Sequence, residues 1–216
     1  MPFRFLHPFL SLYGLGMYLY WLLRHYDQVG VLISLMDKDW RSLRILDVGS
    51  GEGAIAADPR MKGADITCVD GSARAVSACR KKGLRALRMD VRTVPQKLRK
   101  ERFDIIWCLD VLEHLPKGEA FNLLSELERM AGRQVVVFLP LGYLPQDREP
   151  SGAYDSELVR HRSIWEKQDF LERGYRCRVL WGYHFDIRLY CSSLADCPHP
   201  VVRHAMWAVK ERENDP

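Results

Sequence analysis

Several absences in the 216-residue sequence set its limits. Its six cysteines, Cys68, Cys79, Cys108, Cys177, Cys191 and Cys197, form no C-x-x-C pair. Cysteine spacing therefore points to no structural metal, and a zinc site would need closer cysteine or histidine pairing. Buried, reduced thiols in a cytoplasmic chain are the expectation. The sequence has no internal repeat and no low-complexity segment. Between Phe5 and Leu23 there is no formal charge, yet no small-residue cleavage site follows, which argues against a signal peptide. Between residues 74 and 102 there is no aromatic side chain, although that stretch holds eleven Lys/Arg and only two acids, Asp90 and Glu101. A basic stretch can meet nucleic acid or anionic lipid, but without aromatics it offers no platform for stacked bases.

The length fits one α/β domain with a sizeable core, and 47% hydrophobic with 28% charged residues is ordinary for a globular chain. The net charge of +4 hides an asymmetry, because outside residues 74–102 the chain is mildly acidic. The chain divides into an apolar, aromatic segment over 1–40, a main domain over 41–210 and a polar tail over 211–216. Three readings stay open for the first segment: a helical cap over a pocket, a membrane-surface anchor through residues 5–25, or a transmembrane span. Its length just reaches that of a span, but His7, Pro8, Gly14, Gly16 and several tyrosines interrupt it.

After residue 40, strand-like and helix-like patterns alternate. Strands are predicted over 43–48, 65–70, 84–89, 103–109 and 134–139, with two late strands over 175–181 and 201–209. Helices are predicted from about Ala54 to Asp58, over 72–82, over 117–130 and over 164–173. Pro116 and Gly132 bracket the third helix, and Ser163-Ile164-Trp165-Glu166 is read as a capping box for the fourth. Residues 140–160, rich in Pro, Gly, Asp and Tyr, are read as a long functional loop.

Residues 45–53 read Ile-Leu-Asp-Val-Gly-Ser-Gly-Glu-Gly. Glycines there let a strand turn sharply into the next segment and let backbone approach a ligand at the carboxyl edge of a parallel sheet. Gly49, Gly51 and Ala54 also satisfy G-x-G-x-x-A, so the loop alone admits a nicotinamide cofactor. With Asp47 in the strand, Asp70 after the second strand, Asp90 after the third and Asp110-Val111-Leu112-Glu113-His114-Leu115 after the fourth, the chain resembles the class I S-adenosylmethionine-dependent methyltransferases. The resemblance covers residues 43–140 well and the rest loosely.

That resemblance implies an α/β fold, a Rossmann-like seven-stranded, mostly parallel sheet with helices on both faces, and S-adenosylmethionine as cofactor. It implies cofactor contacts from Gly49, Ser50, Gly51 and Gly53, a ribose-binding role for Asp70 with Gly71 beside it, and adenine contacts from Asp90 and Val91. Leu109 and Asp110 would line the space between cofactor and acceptor, and Asp47 would orient the glycine loop. His114 and His161 are the candidate general bases, because imidazole titrates near neutral pH. No metal ligand set is assigned. An N-P-P-Y-type tetrapeptide is absent after the fourth strand, which argues against amino-methylation of DNA bases or protein glutamines.

The expected function is O-methylation of a small molecule, a glycan or a lipid-linked intermediate. The alternatives are a nicotinamide-dependent oxidoreductase, a non-catalytic cofactor-binding partner subunit, and an RNA methyltransferase. The expected site of action is the cytoplasm, with peripheral membrane attachment open.

Overall fold

A computed structural model describes residues 27–142, 156–181, 183 and 204–212. The apolar segment 5–25 and most of the loop after Pro140 lie outside these residues.

Seven strands form one sheet: β1 Arg44–Val48, β2 Asp65–Asp70, β3 Arg85–Arg88, β4 Phe103–Leu109, β5 Ala131–Leu141, β6 Arg176–Leu180 and β7 His204–Glu211. Their order is β3-β2-β1-β4-β5-β7-β6. The first five pair in parallel, and β7 runs antiparallel between β5 and β6. The order reverses between β1 and β4, which opens a crevice at the carboxyl ends of those strands. Central strands here are apolar on both faces because helices cover both.

One face carries α4 (Lys117–Met130), whose Leu123, Leu124 and Leu127 pack with Leu46, Val48, Ile106 and Cys108. The other face carries α1 (Gln28–Leu35) and α2 (Ala73–Lys81), where Leu32, Val76 and Cys79 pack with Ile45, Ile105 and Trp107. Successive strand residues thus serve opposite cores, as a period of two requires. The remaining helices are short: α3 Val94–Lys97, α5 Ser156–Val159 and α6 Lys167–Leu171. No helix among the described residues is long and apolar enough to cross a membrane.

Two predicted elements differ. No α-helix follows the glycine loop: Ala54–Asp58 forms turns, with isolated bonds such as Ala57 N–H to the Gly53 carbonyl, before a 3-10 turn at Pro59–Met61. Pro59 lacks an N–H and bars the extension that would turn these bonds into a helix. The fourth predicted helix also starts late. Glu166 and Asp169, not Ser163 and Glu166, form the capping box of α6. Ser163 is committed elsewhere: its hydroxyl donates to the Leu112 carbonyl (3.1 Å) and accepts from Trp165 Nε1 (2.9 Å). Residues 162–165 therefore lie against the 112–113 turn, where the amides of Arg162 and Ser163 both donate to the Glu113 carbonyl (2.7 and 3.1 Å).

Candidate functional site

A cavity of about 970 Å³ opens at the carboxyl ends of β1 to β4. Its floor is the glycine loop, where Gly49, Gly51 and Gly53 have φ of 76°, 53° and 71°. At Gly49 a side chain is excluded twice, because a Cβ would also sit 2.3 Å from Val111 Cγ2. The loop is held by its own amides. Gly49 and Ser50 N–H donate to the Val69 carbonyl (2.8 and 3.0 Å), and Gly51 N–H donates to Asp70 Oδ2 (2.9 Å).

Asp70 and Gly71 stand at the end of β2 and line the cavity. The other Asp70 oxygen accepts from Ser72 N–H (2.7 Å), which starts α2. Each carboxylate oxygen keeps a second acceptor position. A Cβ on Gly71 would lie 3.5 Å from Leu158 Cδ1, so α5 lies over this end of the cavity. Asp90 and Val91 line the next wall. Asp90 accepts from the Arg92 backbone N–H (2.9 Å) and from its guanidinium, and the guanidinium holds its carboxyl below the usual range.

Asp47 also lines the cavity, but orienting the loop falls to Asp70, which receives the Gly51 amide while Val69 receives the other two. Asp47 is 3% exposed. Burial, and then the neighbouring Asp70, raise its pKa to about 7.

The opposite wall follows β4. Leu109 and Asp110 line it, and Asp110 adopts φ 52°, the one positive value at a non-glycine position among the described residues. Asp110 opens onto the cavity, whereas Glu113 beside it is 2% exposed. Burial and then the facing Asp110 both disfavour the charge of Glu113 and raise its pKa well above the usual carboxyl range. Its Oε2 is buried without a hydrogen-bond partner.

His114 lines the cavity, with Nδ1 buried and lacking a partner. The sequence expectation of an imidazole near neutral pKa is corrected here. Burial, and then His161, push it down to about 4, against the pull of nearby backbone carbonyls. The two rings lie 5.1 Å apart. Two expected residues do not line the cavity. His161 stands behind His114, and Gly53 is turned toward α2, where a Cβ would meet Leu84 and Cys79 within 2.8 Å.

Sequence reasoning did not single out Arg162, Leu158 and Gln28, which reach the cavity only through tertiary packing.

The sequence profile of a methyltransferase domain family matches residues 45–133. A ubiquinone biosynthesis O-methyltransferase of Alkalilimnicola ehrlichii is 34% identical over 112 residues, covering 48% of this chain and 43% of that protein. The chain thus aligns with less than half of that relative's length. A protein of the same name from Glaesserella parasuis is 28% identical over 173 residues, covering 66% of this chain and 69% of its own length. Among solved structures, a SAM-dependent methyltransferase from Archaeoglobus fulgidus superposes with a TM-score of 0.59 at 16% identity, covering 85% of this chain and 91% of that one.

Proposed function

We propose that this chain, whose fold is that of the class I S-adenosylmethionine-dependent methyltransferases and whose residues 45–133 form a methyltransferase domain, catalyses O-methylation of a small organic acceptor. The observation that carries the reading is the single cavity joining the glycine loop, Asp70, Asp90 and the Asp110–His114 turn. Its volume, about 970 Å³, has room for a nucleoside-sized cofactor and a second small molecule. The oxygen acceptor rests on the relatives' names and on the histidine pair beside the cavity. The acceptor class extends to glycans and lipid-linked intermediates, the latter drawing on the apolar segment 5–25 as a membrane-surface anchor.

The residues fit the cofactor. Asp70 retains acceptor positions for a ribose diol, and Ser50, Gly51 and Gly71 offer close backbone approach. Asp90 and Val91 face the same space and would hold the adenine, with Asp90 kept anionic by Arg92. When bound, S-adenosylmethionine supplies an activated methyl group on a cationic sulfonium. Asp47 and Asp110 present carboxyl groups to the cavity and would face that charge, and a cation beside Asp47 would favour its ionised form.

The chain's principal contribution is alignment. Holding two reactants in line is worth up to roughly 7–11 kcal/mol. Leu158 and Arg162 line the cavity and would help position what binds there. His114 is neutral throughout the physiological range, so a ring nitrogen can accept the acceptor's hydroxyl proton, though as a weak base.

Titration calorimetry with S-adenosylhomocysteine, with NAD in parallel, tests the reading. Micromolar or tighter binding of the former alone supports it. Binding of NAD alone would return the glycine loop to an oxidoreductase.

A further inference from the structure

One cation reaches the cavity from the acceptor side. Among the described residues, Lys82, Arg88, Arg92 and Arg162 are the cations that line it. The first three come from the glycine-loop side, and each is turned back on the protein there. Lys82 donates to the Glu52 carbonyl (2.7 Å), Arg88 to the Gly71 carbonyl (3.3 Å), and Arg92 to Asp90 and Glu119. Arg162 comes from the segment after β5 and lines the cavity beside His114, Leu115 and Leu158.

Its place follows from how the chain crosses the cavity. α5 lies over the Asp70 end, where a Cβ on Gly71 would sit 3.5 Å from Leu158 Cδ1. The chain then runs to the turn after β4, where the Arg162 and Ser163 amides both donate to the Glu113 carbonyl (2.7 and 3.1 Å). Trp165, wholly buried, holds the far side of this stretch. Arg162 is an exposed residue, yet its backbone is pinned at the end of the cavity where Asp110 and His114 stand. A charged side chain on a pinned backbone leaves less freedom to be lost when a ligand binds.

A guanidinium is charged at any working pH, and its planar fork matches a carboxylate or phosphate through two parallel hydrogen bonds. Leu115 and Leu158 give this guanidinium an apolar surround, which strengthens such a contact. The cationic methyl donor acts in the same direction, since an acceptor of negative charge is drawn to both cations.

We propose that Arg162 is a specificity-determining residue that holds an oxyanion, a carboxylate or a phosphate, carried by the acceptor. The inference rests on the methyltransferase reading above and narrows its acceptor class. The acceptor's hydroxyl lies toward Asp110 and His114, and its anionic group lies toward Arg162. Two points of attachment orient the oxygen for in-line attack, which one point cannot do.

The test uses the full chain saturated with S-adenosylhomocysteine. It is titrated by calorimetry, at low salt, with benzoate, phenyl phosphate and the neutral isostere benzamide. Arg162→Gln and Arg162→Lys are titrated alongside, with circular dichroism to check folding. Benzoate or phenyl phosphate should bind the parent roughly tenfold or more tightly than benzamide, as a charge-assisted pair does over a neutral one. Arg162→Gln should abolish that preference, and Arg162→Lys, which keeps the charge but not the fork, should retain part of it. The tighter of the two anions identifies the group as carboxylate or phosphate. No preference over benzamide, or a preference that Arg162→Gln leaves intact, overturns the proposal. If Arg162→Gln does not fold, an undiminished preference in Arg162→Lys overturns it. So does weakened S-adenosylhomocysteine binding in a folded Arg162→Gln, because the arginine would then hold the cofactor's own carboxylate. A parent that does not bind S-adenosylhomocysteine sinks the methyltransferase reading, and the same probes titrated into the unloaded chain still decide whether Arg162 holds an anion.

Discussion

The two walls of the cavity are built on opposite terms. Along β1, β2 and β3 the polar groups answer one another: Asp70 takes two backbone amides, the Val69 carbonyl takes two more, and Asp90 is closed by Arg92. Along β4 and the turn after it the backbone groups are paired but two side chains are not. Asp110 sits in a left-handed conformation, and Glu113 and His114 bury atoms with no partner. A largely bonded wall is rigid before any ligand arrives, and suits a ligand of fixed shape. A strained and unsatisfied wall stores its interactions for what binds there, and such strain concentrates at functional sites. The first wall thus suits the cofactor and the second the acceptor.

Gly49→Ala should break the contrast most severely, because it disturbs both walls at once. The added Cβ meets Val111 of the β4 side in a backbone conformation alanine resists. A loss of about 2–4 kcal/mol in denaturant unfolding is expected, with no detectable binding of S-adenosylhomocysteine.

Asp47→Asn sharpens it through pH. The folded pKa of Asp47, about 7, lies above its unfolded value. The stability tied to its proton is therefore present at low pH and is lost as pH rises through about 7. Asparagine carries no ionisable proton, so the variant's advantage over the parent should grow between about pH 4 and pH 7 and be larger at pH 8 than at pH 5 by about 1–3 kcal/mol. The cationic cofactor should also bind the parent more tightly at pH 8 than at pH 6, and the variant with little pH dependence. Thermal melts and titrations at the two pH values check both. A parent whose affinity is flat with pH would remove Asp47 from the cationic end of the ligand.

Asp110→Gly should relieve the β4 wall at the expense of function. A gain of up to about 1 kcal/mol is expected with methyl transfer reduced, as seen by melting and by turnover of any acceptor found. The smallest effect should be Glu113→Gln. Burial and the facing Asp110 both push its carboxyl toward the neutral form, which glutamine mimics, and a shift within about 1 kcal/mol is expected by denaturant unfolding. On the bonded wall, Asp70→Asn would replace an acceptor serving two amides and cannot be so mild.

The first wall was largely legible in the sequence and the second was not. Gly49, Gly51, Asp70, Asp90 and Val91 follow strands whose apolar runs announce them, and each acts within a few residues of its strand end. Lys117–Met130 was equally plain between its bracketing Pro116 and Gly132. Ser163 misled because its spacing to Glu166 satisfies a local rule, while a tertiary partner, the Leu112 carbonyl, takes the hydroxyl instead. The weak basicity of His114 was hidden for the same reason: it comes from burial and from a ring that local sequence does not place nearby.

Trp165 has a consequence for how this protein can change over time. It is wholly buried, bridges to Gly142 through the backbone, lies under Lys117 at 3.7 Å and bonds to Ser163. The path of residues 160–165 is thus fixed by a tryptophan and by main-chain amides, while Arg162 lines the cavity and His161 stands behind His114. Substitutions at those two positions can reshape the edge of the cavity and the packing behind it without moving the chain that carries them. A lineage can vary that edge while the glycine-loop wall stays still.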